Sequence, residues 1–139
     1  MSAAVSARMS VSPSARWAVL GAGVISGDFA TALPAAELGH LYAVGARSTE
    51  DARAFADRFG APFAGTYDDI LGRDDIDAVY IGTVHTTHAE LAIAALASGK
   101  AVLCEKPLTT SAADTEAVLA AAERAGLPLM EAFKYRFGP

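Results

Sequence analysis

Four short stretches of this sequence hold residues suited to gripping a phosphate and to influencing a reacting oxygen. The first is Gly21-Ala22-Gly23-Val24-Ile25-Ser26, which follows an apolar run. Gly21 permits a tight turn, and Gly23 lets a ligand pyrophosphate approach the backbone. A helix opening at Val24 and Ile25 would offer unpaired N–H groups and its positive dipole end to that charge. Ser26 stands where a third glycine or an alanine is usual; it is small enough for close helix–strand packing and can cap. The turn follows a strand, opens a helix and lies in a βαβ unit of about 30 residues, the context a dinucleotide fingerprint requires. The alternative is an ordinary βα turn.

The second stretch is Ala46-Arg47-Ser48, at the end of the second apolar run. An acid at this position would take a ribose 2′-hydroxyl, and none is present. Arg47 could instead pair its forked guanidinium with a 2′-phosphate, with Ser48 donating to the same group. This predicts NADP, with NAD as the alternative. Against it stand Glu50 and Asp51, which repel a phosphate, and the simpler reading of an exposed arginine beside a helix cap.

Thr83-Val84-His85-Thr86-Thr87-His88 and Glu105-Lys106-Pro107 follow two further runs. Both fall at the carboxyl edge of a parallel sheet, where such sheets bind ligands. Pro107 biases Lys106 away from helical conformation and allows a cis bond, either of which would set the lysine's direction. A lysine aimed into a cleft could lower an alcohol's pKa or polarise a carbonyl; a solvated lysine at a strand end is the plain alternative. His85 and His88 are three apart, but no third ligand is near in sequence, so no metal site is expected. His88, at a helix start, also has a structural reading. His40 carries no signal, and Cys104 reads as a packed thiol.

These stretches need a scaffold that brings strand ends together, and the remaining pattern supplies one. Apolar runs at Trp17–Leu20, Leu41–Gly45, Pro62–Ala64, Ala78–Ile81, Ala101–Cys104 and from Pro128 alternate with helical periods. The helices are expected over Ile25–Leu33, Thr49–Phe59, Tyr67–Leu71, His88–Ser98 and Ala112–Ala125, with Gly60, Gly99 and Gly126 closing three of them. Ser48 with Asp51, Thr66 with Asp69, Thr87 with Glu90 and Ser111 with Asp114 each set a hydroxyl three residues before an acid, the spacing of a capping box. Repeated βα units predict a doubly wound α/β domain with strand order 3-2-1-4-5-6.

Composition excludes other classes. At 139 residues the chain has the size of one domain. Hydrophobic residues make up 53% and charged ones 19%, as in a globular core rather than a disordered chain. A net charge of −5, with 11 scattered Lys and Arg, offers no basic stripe for nucleic acid. No apolar run approaches the ~20 residues of a membrane span. Residues 1–15 are rich in Ser and Ala and read as an arm rather than a secretory signal. One cysteine allows no internal disulfide, which suits a reducing cytoplasm.

Taken in order, the glycine turn, Thr83 to His88, Glu105-Lys106-Pro107-Leu108, Met130-Glu131-Ala132-Phe133 and Tyr135-Arg136-Phe137 resemble the glucose–fructose oxidoreductase/inositol dehydrogenase (Gfo/Idh/MocA) family. The pattern around Thr83-Val84-His85 and Cys104 to Pro107 is similar to the trans-dihydrodiol and D-xylose dehydrogenase branch. The resemblance implies a Rossmann domain over residues 16–133 and NAD(P)-dependent oxidation or reduction of a sugar, polyol or diol. It implies that Gly21, Gly23 and Ile25 form the cofactor turn, and that Arg47 and Ser48 meet the adenosine ribose. Thr83 and His88 would lie in the loop lining the cofactor, Glu105 near the nicotinamide ribose and Lys106 near the reacting oxygen. Gly138 departs from the family pattern, since many relatives carry histidine there.

The resemblance also implies that relatives continue into a second domain with the substrate pocket and the lysine's acid–base partner, and that they are often homo-oligomers through its sheet. Residues 134–139 are read as the start of that domain, so the 139-residue chain alone is expected to turn over weakly or not at all. A stand-alone module without catalysis that senses NADP(H) or pairs with another chain, and a fragment with no ligand, are the rival readings.

Overall fold

A computed structural model describes residues 14–132, and over them strands and helices alternate. In chain order these are β1 (Arg16–Leu20), α1 (Val24–Ala36), β2 (His40–Gly45), α2 (Thr49–Phe59), β3 (Phe63–Gly65), α3 (Tyr67–Leu71), β4 (Ala78–Ile81), a 3-10 turn (His85–Thr87), α4 (His88–Ala97), β5 (Ala101–Glu105), α5 (Ala112–Ala125) and β6 (Leu129–Ala132). All five strand pairings are parallel. The sheet order is β3-β2-β1-β4-β5-β6, the doubly wound arrangement. The arm before Ser14, the second-domain start at 134–139, and Phe133, Tyr135 and Phe137 of the family resemblance lie outside the described residues. Ala15, which the sequence assigns to the arm, is already docked. It is buried, and its carbonyl accepts from His40 N at 3.0 Å.

The period-2 alternation of the strands sorts the core into two faces. Trp17, Val19, Val44, Tyr80 and Leu103 point to the face covered by α1 and α2. Ala18, Leu20, Val79, Ile81, Val102 and Cys104 point to the face covered by α3, α4 and α5. Both faces are buried, which is why β4 reads as an unbroken apolar run. The first face holds an aromatic column. Trp17 and Phe29 have centroids 5.3 Å apart, Phe29 stacks on Tyr80 at 4.1 Å, and the Trp17 indole N–H donates to Leu38 O at 2.8 Å.

Local signals explain most element ends. Ser48, Thr66 and Ser111 accept from the backbone N–H three residues on. Only at Thr66 does the acid reach back, Asp69 taking the Thr66 amide at 3.0 Å. Those two bonds hold the Asp69 carboxyl below its ordinary range. The box expected at Thr87 does not form. Thr87 is the last residue of the 3-10 turn and has a helical conformation, and its hydroxyl turns back to Val84 O at 2.7 Å. α1 runs three residues past Leu33, because Pro34 lacks a donor but still accepts, taking the Glu37 amide at 3.2 Å. β5 gains Glu105, which pairs with Ala132 of β6.

At the amino edge, the Arg73 guanidinium holds Asp75 at 2.8 and 2.9 Å, and Tyr42 donates to Asp75 at 2.7 Å. Lys100 is buried and closes the end of α3 by donating to Leu71 O at 3.0 Å. No helix among the described residues is long and apolar enough to cross a membrane.

Candidate functional site

Register brings the four stretches to one edge. Leu20 pairs with both Gly45 and Ile81, Ile81 with Cys104, and Cys104 with Glu131. The glycine turn after β1, the Arg47 segment after β2, the Thr83 loop after β4 and Lys106 after β5 therefore leave the sheet at nearly one level. β1 and β5 flank β4, so their ends lie about 10 Å apart. The crevice opens between β1 and β4, where the winding reverses.

Gly21 makes that crevice possible. Its φ is +101°, and a Cβ there would stand 2.8 Å from Gly82 O and 3.1 Å from Thr83 Cγ2. On the other side of Gly82 lies the buried Ser26 hydroxyl, so a side chain at 82 would collide with it. Ser26 thus occupies the third-glycine position as a packing residue; its Oγ has no partner among the described residues.

The amino end of α1 is chemically open. Gly23 is its N-cap, no side chain caps it, and its first turn holds no acid. The helices α2, α3 and α5 each begin with a capping side chain and at least one acid. A Cβ on Gly23 would meet nothing within 4 Å, and Val24 is 85% exposed. The unbonded N–H groups and dipole end of α1 are left to an anion from solvent.

A cleft of about 520 Å³ adjoins this turn, lined by Ala22, Ala46, Arg47, Asp51, Ala54, Phe55, Arg58 and Tyr67. Arg47 is exposed and has no ion pair or hydrogen bond among the described residues. Its charge reaches Tyr67, whose phenol is raised above its ordinary value by burial, with Arg47 opposing. The sequence reading missed Arg58 and Tyr67. Arg58 did leave a signal, since Asp51, Ala54, Phe55 and Arg58 share one helix face by spacing. Ser48 keeps its hydroxyl proton free while its oxygen accepts from Asp51 N at 3.2 Å.

In the loop after β4, Thr83 and Thr87 share a hydroxyl–hydroxyl bond of 2.6 Å, and His85 is exposed. His88 is enclosed. It is 1% exposed, with Nδ1 2.7 Å from Pro107 O and Nε2 3.1 Å from Thr83 O. Both ring nitrogens face main-chain carbonyls, so His88 ties two loops together. Among the described residues no group of three or more His, Cys, Asp or Glu could hold a metal ion.

Glu105 is half-buried and accepts from the Tyr80 hydroxyl at 2.6 Å. Burial, then this bond, pushes the Tyr80 phenol far above its ordinary value. The Cys104 thiol, fully buried, is pushed up to about 12 by burial and then by Glu131 and Glu105. The Lys106–Pro107 bond is cis. Lys106 is exposed, with no hydrogen bond or ion pair among the described residues.

This arrangement has known counterparts. The family described as an oxidoreductase family with an NAD-binding Rossmann fold (Gfo/Idh/MocA) matches residues 15–133. Trans-1,2-dihydrobenzene-1,2-diol dehydrogenase of Xenopus tropicalis is 39% identical over 128 residues, which are 89% of this chain and 38% of that protein. The Oryctolagus cuniculus enzyme of the same name is 44% identical over 125 residues, 87% of this chain and 38% of that one. The crystal structure of KijD10, a 3-ketoreductase from Actinomadura kijaniata in complex with NADP and TDP-benzene, aligns with a TM-score of 0.83 and 40% identity, over 90% of this chain and 39% of that one. The chain therefore spans about 38% of the length of the curated relatives it matches. By its matched span, glycine turn and sheet order, this chain belongs to the Gfo/Idh/MocA oxidoreductase family.

Proposed function

We propose that this chain is the dinucleotide-binding part of an NAD(P)-dependent dehydrogenase that takes NADP(H) in preference to NAD(H). The complete enzyme would pass a hydride between the nicotinamide and a hydroxyl carbon of a sugar, polyol or diol. The observation that carries the reading is the uncapped amino end of α1 beside an unpaired Arg47 at the end of β2. One site offers backbone N–H groups to a pyrophosphate, and the other offers a forked cation where a ribose-binding acid would stand. The relatives support the chemistry: those named above are a diol dehydrogenase and a ketoreductase crystallised with NADP.

Gly21, Gly23, Val24 and Ile25 would hold the pyrophosphate, and Arg47 with Ser48 the 2′-phosphate. Asp51 in the same cleft weakens phosphate binding without cancelling it, because the guanidinium can make two directed bonds. Thr83, His85 and Glu105 would border the nicotinamide half, with His88 acting through the loops it joins. The bound dinucleotide would supply the hydride donor or acceptor. Lys106 would place its ammonium beside the substrate oxygen, stabilising negative charge as it develops there. A substrate pocket and a proton-transfer partner would come from a further domain or a second chain. A cytoplasmic setting suits a chain whose one cysteine allows no internal disulfide.

Titration of the purified chain with NADPH and NADH, read by nicotinamide fluorescence, tests this. Tighter NADPH binding that Arg47→Ala removes supports the reading. Equal binding would defeat the NADP assignment, and no binding of either would defeat the cofactor site.

A further inference from the structure

Side chains from three separate elements grip the segment Glu105–Leu108, on both sides of Lys106. On the amino side, Tyr80 of β4 donates to Glu105 Oε2 at 2.6 Å. On the carboxyl side, His88 of α4 sets Nδ1 2.7 Å from Pro107 O, and Glu131 of β6 accepts the Leu108 amide on Oε2 at 2.6 Å. Between these anchors the Lys106 side chain is exposed and unpaired among the described residues.

Packing alone does not call for the polar ends of these side chains. The Tyr80 ring stacks on Phe29, but its hydroxyl adds nothing to that stack, in a residue that is 2% exposed. Glu131 is the one acid of β6. Burying polar groups costs free energy unless their bonds are made, and here each of the three residues makes one bond to the segment that carries Lys106. A lysine hangs on a flexible four-carbon stem, so its ammonium can be aimed only if the main chain beneath it is fixed. Misplacement of about 1 Å at a reacting centre costs about a hundredfold in rate.

We propose that Tyr80, His88 and Glu131 are positioning residues that fix the main chain on either side of Lys106 and so direct its ammonium at the carboxyl edge. The proposal rests on the cofactor reading for its consequence, but the clamp can be read without any cofactor.

The first arm is amide hydrogen exchange of the cofactor-free chain. The Leu108 amide should be protected, and Glu131→Ala should speed its exchange about tenfold or more while Val102 and Leu103 of β5 keep their protection. Glu131→Gln retains an acceptor oxygen and should retain the protection. The second arm compares NADPH with adenosine 2′,5′-bisphosphate, which lacks the nicotinamide half. Tyr80→Phe and Glu131→Ala should each weaken NADPH about tenfold and leave the bisphosphate unchanged, with Glu131→Gln near wild type. A Leu108 amide that is unprotected, or indifferent to Glu131→Ala, overturns the proposal. Parallel loss of both ligands also overturns it, since that marks general damage to the fold. A wild-type chain that binds neither ligand defeats the cofactor reading, and the exchange arm then decides the clamp by itself.

Discussion

Gly21 faces Gly82 across the mouth of the β1–β4 crevice, so close that a Cβ on Gly21 would stand 2.8 Å from the Gly82 carbonyl oxygen. The Gly21 amide meanwhile donates to Gly45 O, and the Gly82 amide to Leu20 O. The turn is thereby locked to both neighbouring strands. Gly21→Ala should therefore destabilise the fold by about 1–3 kcal/mol, from left-handed φ together with the collision. Thermal unfolding followed by circular dichroism checks this; an unchanged Tm would show that the turn can relax.

Gly23 offers the opposite case. Its Cβ position is open and its φ is negative, and it caps α1 with no side chain. Aspartate suits an N-cap, so Gly23→Asp should keep or raise Tm by the equivalent of a few tenths of a kcal/mol. The same carboxylate would occupy the anion position, and NADPH affinity should fall by at least about tenfold. Fold retained with binding lost is the expected pair; a variant that still binds NADPH as wild type would place the pyrophosphate elsewhere.

Asp75 gives the fold an acid limit. Its carboxyl is lowered from 3.8 to about 2, first by the hydrogen bond from Arg73 and then by that from Tyr42. A carboxylate with a depressed folded-state value contributes stability above its unfolded value and loses it as pH falls through the folded one. The contribution is thus complete above about 4 and gone below about 2. The Tm gap between wild type and Asp75→Asn should be open at pH 6 and close across that window. A gap that stays constant with pH would detach Asp75 from the acid limit.

Cys104 should be inert in the native state. With its thiol at about 12 instead of 9.0, the thiolate fraction at mildly alkaline pH falls about a thousandfold. Alkylation by iodoacetamide should await unfolding, so the native chain should gain no label under conditions where the urea-unfolded chain gains one. Rapid native labelling would show that β5 opens locally.

The architecture was legible because its signals are local. Glycine after Phe59 and after Ala125 closes helices in left-handed conformation, hydroxyls at 48, 66 and 111 start them, and apolar runs of three to five residues mark strands. The box expected at Thr87 fails because the same hydroxyl can bond forward or backward, and the 3-10 turn that Thr87 ends decides which. The extra turn of α1 was hidden because proline at 34 lies near the helix end, where losing one donor costs little. At the site, glycine spacing exposed the turn. The anchors of Lys106 were not legible: Tyr80 reaches Glu105 across 25 residues, and Glu131 reaches Leu108 across 23. Sheet register creates those pairings, and a pattern along the chain does not encode register between distant strands. His88 showed only its position at a helix start, not the two carbonyls that enclose it.

The single tryptophan sits on one side of the sheet only, wholly buried against Phe29 and bonded to Leu38 O. Its emission is therefore an optical gauge of the α1–α2 half of the molecule, blue when that half is packed and red-shifting when α1 lifts away. The half beneath α4 and α5 carries no such dye. An opening confined to that half would leave the fluorescence silent while ellipticity falls, so disagreement between the two signals identifies which side of the sheet gives way first.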